Sequence, residues 1–233
     1  MKLDARTTLF VTLVALFVTC LVVGDIIGGK VTSVTLAGHE LPFSVGQLAF
    51  PVTFILTDII NEFYGKAIIR RVTYLAFAMV GLTFVVIYAA GAMPWWSVTT
   101  SADWQGVRPH DFEVVFTQAT RIQLSSMVAF LTANLVDIWA FFFIKHLTGN
   151  RFLWLRATGS TAISQLFDTL VITALVWGTK ITFAQYLAFA ATSYVIKLLA
   201  AIFVTPVIYA AHGLIERRFA IHPVDAKQES NAD

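Results

Sequence analysis

Four groups of polar residues lie inside stretches that are otherwise apolar, and they carry most of the chemistry this sequence could perform. Asp58, Asn61 and Glu62 fall within FPVTFILTDIINEFYGKAIIRR (Phe50 to Arg71), while Asn134 with Asp137, Gln165 with Asp168, and Tyr194 with Lys197 each stand three residues apart. Spacings of three or four put such residues on one face of a helix. The runs Ile122 to Val136, Ala157 to Phe167 and Ile181 to Ile196 are uncharged until Asp137, Asp168 and Lys197 interrupt them. An ionisable group at the centre of a membrane helix costs about 2.5 to 3.5 kcal/mol on insertion scales, so several together point to a site. Asp58, Glu62, Asp137 and Asp168 outnumber the one lysine at depth, Lys197. A carboxylate left without a cation must be protonated, hydrated, or waiting for a ligand that donates hydrogen bonds. The competing structural role is a charge network, balanced by Lys197, that only fixes helix packing.

Other chemistries find little support. The single Cys20 forms no internal disulfide, and there is no CxxC, no HExxH, and no Ser-His or Cys-His pair placed at depth. No metal, cofactor or enzymatic activity is therefore expected. His39, His110, His146, His212 and His222 fall in loops or at helix ends and read as surface residues. GDIIGGK (Gly24 to Lys30) matches the first seven positions of a phosphate-binding loop, but Val31 stands where the magnesium-binding hydroxyl belongs. Gly24 and Gly28 fit close helix packing or a helix end better. Asp25, near the outer end of the first helix, is expected to make a solvated pair with Lys30.

The elements that position these residues must be membrane helices. Of 233 residues, 58% are hydrophobic and 13% charged, and a mean hydropathy of +0.75 leaves too little polar surface to cover a soluble globule. The fold class expected is all-α integral membrane, with six transmembrane helices over about Thr7 to Gly24, Gly46 to Phe63, Val72 to Met93, Ile122 to Ile144, Arg156 to Gly178 and Thr182 to Ile215. The first is expected to be a retained helix, because the rest of the chain is equally apolar. Val31 to Leu41 alternates enough, with Gly38 as the turn, to predict a short hairpin between helices 1 and 2. The longest polar loop follows Pro94-Trp95-Trp96 and runs to about Gln118. Residues 1–220 are expected to form a single six-helix domain, with 221–233 as a polar tail.

Cations set the orientation. Lys2, Arg6, Lys66, Arg70, Arg71, Lys145, Arg151, Arg156, Arg217, Arg218 and Lys227 fall on one side; Lys30, Arg108, Arg121 and Lys180 fall on the other. That asymmetry places both termini in the cytoplasm. Net charge is only +2, and nothing suggests nucleic-acid binding.

Four blocks in order, FPVTFILTDIINEFYGKAIIRR, NLVDIWAFFFIK, WLRATGSTAISQLFDTLVI and YVIKLLAAIFVTPVIY, resemble the queuosine precursor transporters of the vitamin uptake transporter family. The resemblance spans nearly the whole chain. It implies a bacterial inner-membrane protein, a fold similar to the S components of energy-coupling-factor transporters, and import of a 7-deazaguanine for tRNA queuosine synthesis. Such a base is flat and neutral, with a ring N–H beside an exocyclic amine and one carbonyl. A single carboxylate can accept both donors, an amide or Lys197 can reach the carbonyl, and an aromatic ring can cover the face. Edge recognition is accordingly expected from Asp58 or Glu62 with Asn61, and further contacts from Asn134, Asp137, Gln165 and Asp168, with Tyr194 and Lys197 completing the site. Glu62 lies one turn from Lys66 and could pair there instead. Phe54, Trp139 and Phe167 could stack on the ligand, though packing is their ordinary use. Energy coupling stays open among a facilitator, a proton-coupled carrier and an S component served by a separate ATPase module, and the oligomeric state is equally open.

Overall fold

A computed structural model of the chain describes residues 4–36, 39–117, 120–148, 151–178, 182–219 and 221–224. The turn expected at Gly38, the cations Lys2, Lys180 and Lys227, and the tail from 225 onward lie outside the described residues. Helix α1 (Ala5–Ile27) is apolar throughout and stops at Gly28. Strands β1 (Val31–Leu36) and β2 (His39–Ser44) then form an antiparallel hairpin, in register from Val31 opposite Ser44 to Leu36 opposite His39. The expected hairpin is therefore present, with a second strand longer than alternation alone suggested.

Ser44 turns the chain back into the membrane. Its hydroxyl donates to the Gly28 carbonyl (2.7 Å) and accepts from the Gly46 N–H (3.2 Å), capping a 3-10 turn, Val45–Ala49, that leads into α2 (Phe50–Tyr64). Pro51 occupies the first turn of α2, where its missing N–H costs nothing. The turn approaches α1 backbone to backbone: a Cβ added at Gly46 would stand 2.4 Å from the Gly24 carbonyl oxygen. GDIIGGK thus ends a helix and precedes a strand, the reverse of a phosphate-binding loop.

Gly65, at φ 86°, breaks the chain between α2 and α3 (Lys66–Gly91). The following polar stretch holds a 3-10 turn at Ser97–Thr100 and a one-turn helix α4 (Pro109–Phe112), where Asp111 accepts from the Arg108 N–H at 3.3 Å. Three long helices complete the chain: α5 (Thr120–Thr148), α6 (Leu153–Trp177) and α7 (Phe183–Phe219). With 37 residues, α7 is about 55 Å long at 1.5 Å per residue and runs beyond the expected limit at Ile215. It carries Pro206 in its interior, and beside that proline Thr205 bonds Thr158 of α6 at 2.8 Å.

Helix α1 packs on α2 and α3, α3 on α5, α5 on α6, α6 on α7, and α7 returns to α2. Inside this ring every residue of α2 from Leu56 to Tyr64 is buried. Among the described residues, five helices are long and apolar enough to cross a membrane, and α2 is not one of them. At 15 residues, about 22 Å, it is shorter than the expected second span, and it needs no lipid-facing surface because its neighbours enclose it. The first and last described segments meet at one end of the bundle: Arg6 donates to the Phe63 carbonyl (3.4 Å), and the Val224 N–H donates to the Glu62 carbonyl (2.9 Å).

Candidate functional site

Helices α5, α6 and α7 each contribute polar groups to one side of a largely apolar cavity of about 230 Å³ in the half of the bundle away from the termini. Asn134 and Asp137 enter it from α5, Gln165 and Asp168 from α6, and Lys197 from α7. The three-residue spacing is what aims each pair inward together. Helix α1 adds Asp25, the 3-10 turn adds Gln47, and α2 adds Phe50, Thr53, Phe54 and Thr57.

The charges inside are unevenly satisfied. Lys197 and Asp168 are in direct ionic contact, and the lysine Nζ also stands 5.4 Å from the Phe50 ring centroid. Asp137 accepts from the Ser164 hydroxyl at 3.1 Å and also has the Ser160 hydroxyl beside its carboxylate, and Asp25 accepts from Ser126 at 2.9 Å. The Asn134 amide donates back to the Phe130 carbonyl of its own helix (2.9 Å), which fixes its rotamer. The side-chain carbonyl of buried Gln165 has no protein partner. Three carboxylates therefore share one ammonium, and the walls hold more acceptor capacity than donors, so the cavity suits a ligand rich in N–H groups. Its volume falls below the roughly 300 to 1,000 Å³ of pockets for drug-sized molecules, which restricts that ligand to a small ring system.

The remaining polar residues singled out above lie elsewhere. Glu62 sits at the terminus end of the bundle, paired with Arg156 and near Lys145 Nζ (3.8 Å) and His212 Nε2 (3.7 Å). Lys145 and Arg156, expected as loop cations, are buried there, because Glu62 compensates them. His212 is likewise no simple surface residue: its Nδ1 also approaches Glu216 (3.6 Å) and its ring packs 5.0 Å from that of Phe63. Tyr194 donates to the Ala162 carbonyl (3.1 Å), tying α7 to α6. Asp58 and Asn61 are buried beyond the cavity wall. Of the three aromatic residues considered, only Phe54 lines the cavity; Trp139 and Phe167 point outward.

Asp25 departs from expectation in the other direction. It bonds Ser126 and faces the cavity, because the backbone contact between Gly24 and Gly46 draws the end of α1 inward. Sequence reasoning also passed over Gln47, Phe50 and Ser164. Only Ser164 left a signal, since it falls four residues before Asp168 on the same helical face.

A sequence model described as "Putative vitamin uptake transporter" matches residues 44–211, from the end of the hairpin through most of α7. The chain belongs to the vitamin uptake transporter family. In this vitamin uptake transporter, the matched span includes every cavity-lining residue contributed by α2, α5, α6 and α7, while Asp25 lies before it. The chain is also 31% identical over 177 residues to a Bacillus subtilis (strain 168) protein named "Probable queuosine precursor transporter", covering 75% of this chain and 74% of that one. No solved structure matches it significantly.

Proposed function

We propose that this chain imports a 7-deazaguanine precursor of queuosine, such as 7-cyano-7-deazaguanine, and binds it in the cavity between α1, α2, α5, α6 and α7. The observation that carries this reading is the surplus of acceptors in a small, partly aromatic cavity, in a relative of a protein named for queuosine precursors. Asp137, whose carboxylate keeps lone pairs beyond those facing the Ser160 and Ser164 hydroxyls, takes the ring N–H and exocyclic amine of the base. The free Gln165 carbonyl and Asn134 extend that edge. Asp168 and Lys197 act as a pair, the lysine reaching the base carbonyl while Asp168 keeps it charged. Phe50 and Phe54 cover a face of the ring. Asp58, Asn61, Glu62 and Tyr194 support the walls rather than touch the ligand.

The cation asymmetry supports an orientation with both termini in the cytoplasm of a bacterial cell, the protein spanning the inner membrane. The transport unit is the whole bundle, and residues 221–224 belong to it, since Ile221 is buried in the core. Without a phosphate-binding loop in the right setting, the chain supplies no ATP hydrolysis of its own, so a separate ATPase module is the alternative source of coupling. The test is complementation. In cells unable to synthesise the precursor, expression restores queuosine in tRNA from external 7-cyano-7-deazaguanine, and Asp137→Asn abolishes that rescue while inserting normally. Rescue by Asp137→Asn at the wild-type level would remove the carboxylate from the site.

A further inference from the structure

Asp58 is the least explained charged residue of the bundle. Both of its carboxylate oxygens are buried without a hydrogen-bond partner, as are both polar atoms of Asn61 one turn further along α2. The space beside it is lined by Phe54, Ala157, Thr158, Thr161, Val204 and Ile208, and admits no water-sized body. A calcium or magnesium ion would need about six oxygen ligands there. The wall offers two threonines, one of them already bonded to Thr205. Only a proton fits.

The surrounding charges give the same answer. Asp137 of α5 and Glu62 of α2 both act unfavourably on a charged Asp58, and the nearby cation, Arg156 of α6, is already engaged by Glu62. Lys145 of α5 faces Glu62, and Lys197 of α7 is held by Asp168. Helix α7 brings Ala201, Val204 and Ile208 to this space. From α1 and α3, Phe17, Leu21, Val72 and Ala76 join the core around α2. An ionised carboxylate in such surroundings has lost its water and gained nothing in return.

Resting on the substrate reading above, we propose that Asp58 is the proton-carrying residue of a proton-coupled import cycle. A carboxyl enclosed without a hydrogen-bond partner fits its loaded, neutral form. The residue is placed for coupling: Phe54 is a shared wall of the ligand cavity and the Asp58 space, Thr57 lines the cavity beside it, and Asp137 belongs to the cavity while opposing charge on Asp58. Charge on Asp137, as it receives the base, favours the neutral form of Asp58. On the far side, Glu62, His212 and Glu216 lead toward the terminus end of the bundle. One proton bound at Asp58 from outside leaves by that route as the carboxylate re-forms, once per imported base.

Two measurements test this. In proteoliposomes made acidic outside, wild type accumulates labelled 7-cyano-7-deazaguanine above equilibrium and a protonophore abolishes the excess, whereas Asp58→Asn only equilibrates it, with exchange of preloaded base showing that the variant is folded. Independently of any substrate, infrared spectra of the purified protein at neutral pH contain a carboxylic-acid C=O band that Asp58→Asn lacks. Gradient-insensitive uptake by wild type, undiminished accumulation by Asp58→Asn, or unchanged infrared spectra would each overturn the proposal. Loss of the band together with no uptake by wild type under any gradient would support the proton site and refute the substrate.

Discussion

Asp137 and Asp168 look equivalent in the sequence but have different surroundings. Asp168 is held by Lys197, which leaves it little capacity for a ligand, while Asp137 faces only neutral serine hydroxyls and keeps acceptor capacity beside them. Breaking a buried ion pair from one side strands the other charge, at a cost of about 3 to 5 kcal/mol, whereas replacing both partners with apolar residues is often neutral. Lys197→Met is thus expected to lower the melting temperature strongly, and the double variant Lys197→Met, Asp168→Leu to recover most of it. Uptake should stay lost in both. If the double variant also regains uptake, the pair serves packing alone. Glu62 shows how far sequence reasoning reaches at this scale. Its place on the acidic face of α2 was legible, but its partners Arg156 and Lys145 come from distant segments, and periodicity carries no information about which cation will arrive.

Among the elements, the short α2 depends on close backbone approach for its position. The 3-10 turn before it meets the end of α1 with no room for a side chain at Gly46, while a Cβ at Gly29 would meet nothing within 4 Å. Gly46→Val is expected to destabilise by about 1 to 3 kcal/mol, as overpacking does, and to weaken ligand binding by displacing Asp25 and Gln47. Gly29→Ala should melt close to wild type, and equal losses in both would contradict the packing argument. The helices and the hairpin were legible because apolar runs and alternation report burial directly. The length of α2 was not, because a helix enclosed by its neighbours from Leu56 onward reads like a membrane span by composition alone. The face of α2 expected from its acidic residues, Asp58, Asn61 and Glu62, is not the one that lines the cavity: the cavity takes the face carrying Phe50, Thr53, Phe54 and Thr57, and leaves Asp58 behind them.

For the whole molecule, the start of α1 and the segment around Val224 lie together at the end of the bundle that carries Glu62, with the hairpin at the other. The orientation read from the cations makes the hairpin end external. In a Cys20→Ser background, cysteine at Ser33 is expected to react with a membrane-impermeant thiol reagent added to intact cells, and cysteine at Arg217 only after permeabilisation. The opposite pattern would invert the topology and the direction of any coupled proton.

The claim on which most depends is that the cavity binds a 7-deazaguanine through Asp137. Equilibrium binding of labelled 7-cyano-7-deazaguanine to the purified protein addresses it without cells, gradients or partners. Saturable binding by wild type, displaced by the unlabelled base and lost in a folded Asp137→Asn variant, is the predicted result; absent binding by intact wild type, or undiminished binding by Asp137→Asn, would contradict it.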